Sequence, residues 1–353
     1  MPDVITNLTR GMPVEIGKID RELKQLWKQG EGAATRASLV NFAVYCEGAA
    51  AIEETTELIS QFTRDHACRA ILIATEPNAP ERRVQAWISA HCHISRAGAK
   101  QVCCEQITFL LEGDARELIP NIVFSHLDSD LPLYLWWRGQ FPAEPDEQLW
   151  KWVDRLFYDS RHWPNPRAQF ASLRDIANRT RLTLRDLNWT RTLYLRQAIS
   201  RVFDHPENLQ QLPRLRRITI THAKQMRSAA VLLTGWLLGQ LRLRALDRLD
   251  NEFHLARADE NSSRVDLELQ RGGDELAIAE VELETDEACF RFSRKAAESG
   301  FLYTETRFAD GRVFHNLQPH VEGTLLALLD TELSRGTTHE IYLKVLAAAE
   351  PLW

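Results

Sequence analysis

The stretches Ser38-Leu-Val-Asn-Phe-Ala-Val-Tyr45 and Cys68-Arg-Ala-Ile-Leu-Ile-Ala74 are short, nearly continuous apolar runs, the pattern of strands covered on both faces. Between them, over Ala50 to Arg64, Ile52, Leu58, Ile59 and Phe62 recur at helical spacing. Strand, helix and strand in that order make a β-α-β unit, whose crossover requires parallel strands with the helix packed on one face. The fold class that follows is α/β.

Upstream, Val14, Ile16, Ile19, Leu23, Leu26 and Trp27 predict an amphipathic helix over Met12 to Gln29, ending at Gly30. Downstream, Val84 to Ile94 and Gln101 to Leu111 flank Ala97-Gly98 and read as a hairpin. A helix over Ala115 to Leu127 then delivers the chain to Leu127-Asp-Ser-Asp-Leu-Pro-Leu-Tyr-Leu-Trp-Trp-Arg-Gly139. There Leu131 to Trp137 reads as a buried strand extending the same sheet, Asp154 to Tyr158 as another short strand and Arg167 to Arg179 as a closing helix. These elements form a first domain, residues 1–181, with a mixed sheet and flanking helices.

From Leu182 the pattern restarts with a helix through Trp189 to Phe203, the strand Arg217 to His222 and the helix Ala229 to Leu241. Serial strand candidates follow: Glu252 to Ala256, Arg264 to Gln270, Leu276 to Leu283, Cys289 to Ser293, Phe301 to Arg307 and Arg312 to Asn316. Gly272-Gly273 reads as a hairpin turn between two of them, and the alternation indicates a largely antiparallel sheet with one solvated face. Helices Val321 to Leu333 and His339 to Ala348 complete a second, α+β domain over residues 182–353. No internal repeat or low-complexity tract is present.

The chain has 353 residues, 26% charged and 44% hydrophobic, which is globular composition with room for two cores. A net charge of -6 and the lack of a dense Lys and Arg run argue against nucleic acid and anionic membranes as partners. Arg216-Arg217 sits beside a strand and reads as a solvated edge. Met1 to Ile16 has no apolar core behind a basic start, and Ala229 to Leu241, the best membrane candidate, is short and carries Gln240. A cytoplasmic location is expected, with six cysteines mostly as thiols and no disulfide scaffold.

Candidate sites are few. In the predicted hairpin Cys92 falls opposite Cys103 while Cys104 points to the other face, leaving inert core thiols and a redox pair as alternatives. His91 and His93 lie nearby, but the compact CxxC spacing of structural zinc is missing, and no metal is expected. Asp128, Asp130 and Asp159 border the aromatic segment, and helix termination and turn formation explain Asp128 and Asp130 more simply than acid-base work does. Trp136 and Trp137 are adjacent, so a strand sends them to opposite faces. Two readings stay open: both are covered within the chain, or one fills the core while the other anchors a partner beside Arg138. Gly235-x-x-x-Gly239 reads as a close helix contact. Arg291, Arg294 and Lys295 form a charged strand edge or, alternatively, a phosphate site of a sugar-phosphate enzyme or sensor. No GxGxxG, GxxxxGK[ST], HExxH or GxSxG occurs, so no catalytic residue and no cofactor is assigned.

Leu131-Pro-Leu-Tyr-Leu-Trp-Trp-Arg-Gly139, Asp154-Arg-Leu-Phe-Tyr-Asp-Ser160 and Cys103-Cys-Glu-Gln-Ile107 together resemble the OpcA family of glucose-6-phosphate dehydrogenase assembly or activator proteins. Arg36-Ala-Ser-Leu-Val-Asn-Phe42 and His66-Ala-Cys-Arg-Ala70 are similar to earlier parts of the same pattern. The match runs from about residue 36 to 180 and more weakly through the second domain. The resemblance implies a non-catalytic protein that binds the dehydrogenase and favours its active oligomer, feeding the oxidative pentose phosphate pathway and NADPH supply. In cyanobacterial relatives cysteines are linked to thioredoxin control, which makes thioredoxin a second candidate partner. The residues expected to meet the dehydrogenase are Trp136, Trp137 and Arg138 with Asp130 and Asp159 around them.

Overall fold

Seventeen strands in two sheets organise the computed structural model, which describes residues 10–29, 34–36, 38–94, 101–142, 147–249, 252–257, 264–272, 277–294, 300–320, 323–335 and 339–353. The chain divides into two compact units, Met1–Tyr158 with Asp175–Leu184, and Asp159–Arg174 with Arg185–Trp353.

The first sheet contains β1 (Met12–Val14), β2 (Ala34–Arg36), β3 (Val40–Glu47), β4 (Cys68–Glu76), β5 (Arg83–Ile94), β6 (Gln101–Glu112), β7 (Leu133–Trp137), β8 (Arg155–Tyr158) and β9 (Thr183–Asp186). Their order is β1-β5-β6-β4-β3-β7-β8-β9, with β2 alongside β6. The predicted parallel unit is present: β3 and β4 pair in parallel, joined by the helix Ala51–Phe62, which buries Ile52, Thr55, Ile59 and Phe62. All of β3 but Glu47 and nearly all of β4 are buried, as the apolar runs require of central strands. β6, β4, β3, β7 and β8 run parallel, in the order of a doubly wound sheet, and the winding reverses between β3 and β7.

The hairpin of β5 and β6 is antiparallel with Cys92 opposite Cys103, as the register predicts; its Ala97-Gly98 turn lies outside the described residues, as does Gly30. The amino-terminal expectation is corrected. Met12–Val14 is an edge strand on β5, and the helix begins only at Ile19. Pro13 cannot donate within a helix, and a Cβ on Gly11 would lie 2.5 Å from the Ile88 carbonyl oxygen, so the chain there is committed to the sheet.

The second sheet, largely antiparallel as expected, runs β11 (Leu243–Leu249), β12 (Glu252–Arg257), β13 (Arg264–Arg271), β10 (Leu215–His222), β14 (Ile278–Thr285), β15 (Ala288–Ser293), β16 (Phe301–Phe308), β17 (Val313–Pro319). Its one parallel pair among the described strands is β10 with β13. This corrects the hairpin expected at Gly272-Gly273. β10 intervenes between β13 and β14, and Gly272 passes so close to Thr221 on β10 that a Cβ would meet Thr221 Cγ2. Gly273 lies outside the described residues. The helix expected through Trp189 to Phe203 is present as two, Leu187–Arg191 and Leu193–Val202, and is preceded by a strand the sequence reading lacks, β9 at Thr183–Asp186. Asp186 ends the strand by accepting the Asn188 N–H as a helix cap.

The helix Arg227–Leu241 is buried along most of its length and stops at Arg242, which takes a left-handed conformation. No helix among the described residues is long and apolar enough to cross a membrane.

Candidate functional site

Open α/β sheets take ligands at the carboxyl ends of the strands where the winding reverses, which in this chain is the end of β3 and β7. Buried Asn41 on β3 fixes the approach to β7: its side chain accepts the Asp128 N–H at 2.7 Å and donates to the carbonyls of Asp128 and Leu131. Asp130 follows in a left-handed turn (φ 69°), exposed, consistent with a turn role for that residue. Asp154 then accepts the Leu133 N–H at 2.8 Å, so the start of β7 is held from both sides.

At the far end, Tyr45 and Trp137 stack at 3.8 Å, and Trp150 and Phe141 close over Trp137 at 5.7 and 6.2 Å. The Trp137 indole donates to the Gln140 carbonyl at 2.9 Å, and the Tyr45 hydroxyl bonds Thr75 at 3.0 Å. Burial pushes the Tyr45 phenol pKa upward, so it remains a neutral hydroxyl. Tyr45, Trp137 and Trp150 border a cavity of about 260 Å³ with Arg116, Glu117 and Gln140 also lining it. Gly139 is required where the chain leaves β7: a Cβ there would sit 2.7 Å from the Glu47 carboxylate.

Beside the cavity, the turn Glu47-Gly48-Ala49 leads into the helix Ala51–Phe62. Free N–H groups at such a turn attract anions, the basis of dinucleotide pyrophosphate binding. Here that demand is met from within, since Glu76 at the end of β4 accepts the Ala49 N–H at 2.9 Å. Glu53 and Glu54 occupy the first turn of the helix, and Arg138 pairs with Glu54 at 2.6 Å. The residues therefore do not fit a pyrophosphate.

The Glucose-6-phosphate dehydrogenase subunit N-terminal domain model matches residues 60–175, and the C-terminal domain model of the same description matches residues 182–346. The chain belongs to the OpcA family of glucose-6-phosphate dehydrogenase assembly proteins. A relative in Synechocystis sp., provisionally named OxPP cycle protein OpcA, is 28% identical over 193 residues. That match covers 54% of this chain and 40% of the relative, so the chain spans under half the length of that protein. Among solved structures, the 3-ketoreductase KijD10 of Actinomadura kijaniata, with NADP and TDP-benzene, is 11% identical, with a TM-score of 0.49 and coverage of 88% of this chain and 94% of that one. The Bacillus subtilis protein yvaA, described as an oxidoreductase, is 10% identical with a TM-score of 0.46 over 88% and 96% of the two chains.

In this OpcA-family chain the residues singled out from sequence are distributed as follows. Of the two readings of β7, both tryptophans covered or one exposed, the structure has the first: Trp136 and Trp137 are 2% and 7% exposed, so neither is an exposed anchor. Adjacent strand residues do face opposite sides, but β3 and β8 flank β7, and both faces are covered. Arg138 packs its guanidinium over Trp136 and bonds Glu54 and Thr55, so it secures β7 to the helix Ala51–Phe62. Asp159 belongs to the second unit, where it receives Arg191 in a two-point pair at 2.7 and 2.9 Å. Burial alone would raise its pKa, but the Arg191 pair outweighs burial and holds it below the usual carboxylate range. The exposed aromatic of the segment is Trp152, 68% exposed, against which Phe124 packs edge-on at 6.0 Å. Spacing could have indicated it: Leu149, Trp150 and Val153 face inward around a single turn, leaving Lys151 and Trp152 outside.

Cys92 and Cys103 are joined in a disulfide, whereas Cys46, Cys68, Cys104 and Cys289 are thiols. Cys92 is the exposed member of the bridge and Cys103 the buried one. Burial raises the Cys68 and Cys104 thiols above their ordinary pKa and pushes Cys46 up to about 11, which leaves them protonated and poor nucleophiles. In the second unit Arg291 pairs with Glu282 at 2.6 Å across the β14–β15 ladder, and Arg294 is buried. Lys295 lies outside the described residues. Neither Arg291 nor Arg294 lines a cavity described in this structure.

Proposed function

We propose that this protein is a non-catalytic assembly factor and activator that binds glucose-6-phosphate dehydrogenase and favours its active oligomer. Its role in the cytoplasm is then to support the oxidative pentose phosphate pathway and NADPH supply. The two family models spanning residues 60–175 and 182–346 carry this reading. A site whose anion-binding turn is filled by Glu76 and ringed by acids supports a protein that does not use a dinucleotide in the usual way. Activation would come from preferential affinity for the competent oligomer, since a ligand shifts a population only by its differential binding.

Trp152 is the anchor of choice for the contact, as exposed tryptophans dominate interface energetics. Asp130 lies on the surface and can meet the dehydrogenase directly, while Trp136, Trp137 and Arg138 act from beneath by holding the loop geometry. Asp159, paired to Arg191, plays the same supporting part in the second unit. Titrating the cognate dehydrogenase onto immobilised protein tests this reading: saturable binding is expected, and its absence for the parent protein would overturn it.

The Cys92–Cys103 bridge favours a second reading, in which a thioredoxin-type dithiol reduces the bridge and changes affinity for the dehydrogenase. Activation by the Cys92→Ser, Cys103→Ser double variant should then be the same with and without reductant, whereas the parent responds.

A further inference from the structure

We propose that the edge of β17 is a self-association surface, on which a second copy of this chain pairs its own β17 antiparallel about a two-fold axis through His315. β17 ends the second sheet, with β16 as its neighbour among the described strands, in an unbroken antiparallel register. Hydrogen bonds from the Phe308 N–H to the Arg312 carbonyl and from the His320 N–H to the Gly300 carbonyl bracket that ladder. Alternation between them turns the N–H and C=O groups of Val313, His315 and Leu317 away from β16. Such an edge is a template for another strand, and sheets protect it with charges, bulges or covering elements. The opposite edge of the same sheet is protected in this way: β11 carries Arg244, Asp247 and Arg248 and a bulge between Ala245 and Asp247. β17 has no charged residue and no bulge, and six of its seven residues are exposed.

The order Val313-Phe-His-Asn-Leu317 matches itself when reversed. With His315 on the axis, Val313 lies opposite the second copy's Leu317, and each outward-facing pair exchanges both of its hydrogen bonds. Val313 and Leu317 are exposed apolar residues of one face, so the pairing covers them against one another. His315 meets its own copy on the axis, with Glu305 3.7 Å from the ring. On the other face Phe314 comes opposite the second copy's Asn316. Phe314, 54% exposed, lines a cavity of about 430 Å³ together with Val202, Thr306, Phe308, Asn316 and Gln318. The ring of each copy is thereby set against the cavity of the other, a knob and a hole supplied by one surface, as an isologous contact requires. Arg312, which precedes the strand, is matched within the chain by Glu207 and Asp310, so pairing meets no unmatched charge there.

Sedimentation velocity of the full chain, with hydrogen exchange resolved by residue, tests the assignment. The parent should pass from monomer to dimer as its concentration rises, and the N–H groups of Val313, His315 and Leu317 should exchange more slowly over the same range. Leu317→Lys should raise the dimer dissociation constant about thirtyfold or more without lowering the thermal midpoint of the monomer. Leu246→Lys, on the β11 edge, should leave the dissociation constant unchanged. A parent that stays monomeric up to its solubility limit would overturn the proposal. A dimer untouched by Leu317→Lys, or one in which those three N–H groups exchange as fast as in the monomer, would overturn it too and assign the contact to another face. Protection of the same N–H groups only on addition of the dehydrogenase would give the edge to a strand of that protein instead. Self-association is read on this chain alone, so its outcome is separate from whether the dehydrogenase is the partner.

Discussion

Trp137 and Trp152 lie in one segment of sequence, yet their substitutions should separate two kinds of loss. Trp137→Ala removes a ring stacked on Tyr45 and enclosed by Trp150 and Phe141. A cost of about 3–5 kcal/mol is expected, read as a lowered denaturant midpoint. Trp152→Ala should change stability by less than about 0.5 kcal/mol while weakening activation of the dehydrogenase about tenfold or more. Normal activation by Trp152→Ala would remove that residue from the contact. At Asp186 pH is the probe. Burial, aided by the charge of Asp159, raises this carboxyl to about 6 despite hydrogen bonds from Ser160, Asn188 and Tyr342. Its unfolded value is about 4, so between the two the folded chain holds a proton that the unfolded chain has lost. The contribution of this proton is complete below about pH 4 and is lost as the pH rises through about 6, amounting to roughly 2–3 kcal/mol. The stability difference between parent and Asp186→Asn should therefore change across that window, and parallel pH profiles would contradict the assignment.

Helix contact and strand order were unequally legible in the sequence. Gly235-x-x-x-Gly239 reads as one close-packing motif, but its two glycines have different surroundings. A Cβ at Gly235 would lie 2.7 Å from the Val345 carbonyl oxygen and 2.9 Å from Ala349 Cβ on the helix Glu340–Ala349, whereas nothing lies within 4 Å of one at Gly239. Gly235→Ala should destabilise by about 1–3 kcal/mol, and Gly239→Ala should stabilise by up to about 1 kcal/mol through helix propensity. Equal thermal shifts for the two variants would refute the packing assignment. The β-α-β unit was readable because β3 and β4 are central and every residue but the last faces the core. The Cys92–Cys103 pairing was readable because alternation and a single turn determine hairpin register. The insertion of β10 between β13 and β14 was not, since partner choice among strands with similar alternation is decided by contacts distant in sequence. The same reason hid the burial of Trp137, whose cover comes from Phe141 and Trp150. It also hid the partner of Arg291, because Glu282 meets it from the neighbouring strand.

At the scale of the whole molecule, the family models cover β4 to β8 of the doubly wound sheet and all eight strands of the largely antiparallel one. Such a chain is expected to act through what it binds. Population shift sets the scale: a preference of about 1–3 kcal/mol for the active oligomer changes its share by about 5-fold to 150-fold. The decisive measurement follows the cognate dehydrogenase by sedimentation velocity and by steady-state kinetics as this protein is added. A saturable move to a larger dehydrogenase oligomer, with a rise in kcat/KM over the same concentration range, is predicted. Unchanged oligomer size and unchanged kinetics at saturating protein would contradict the central claim.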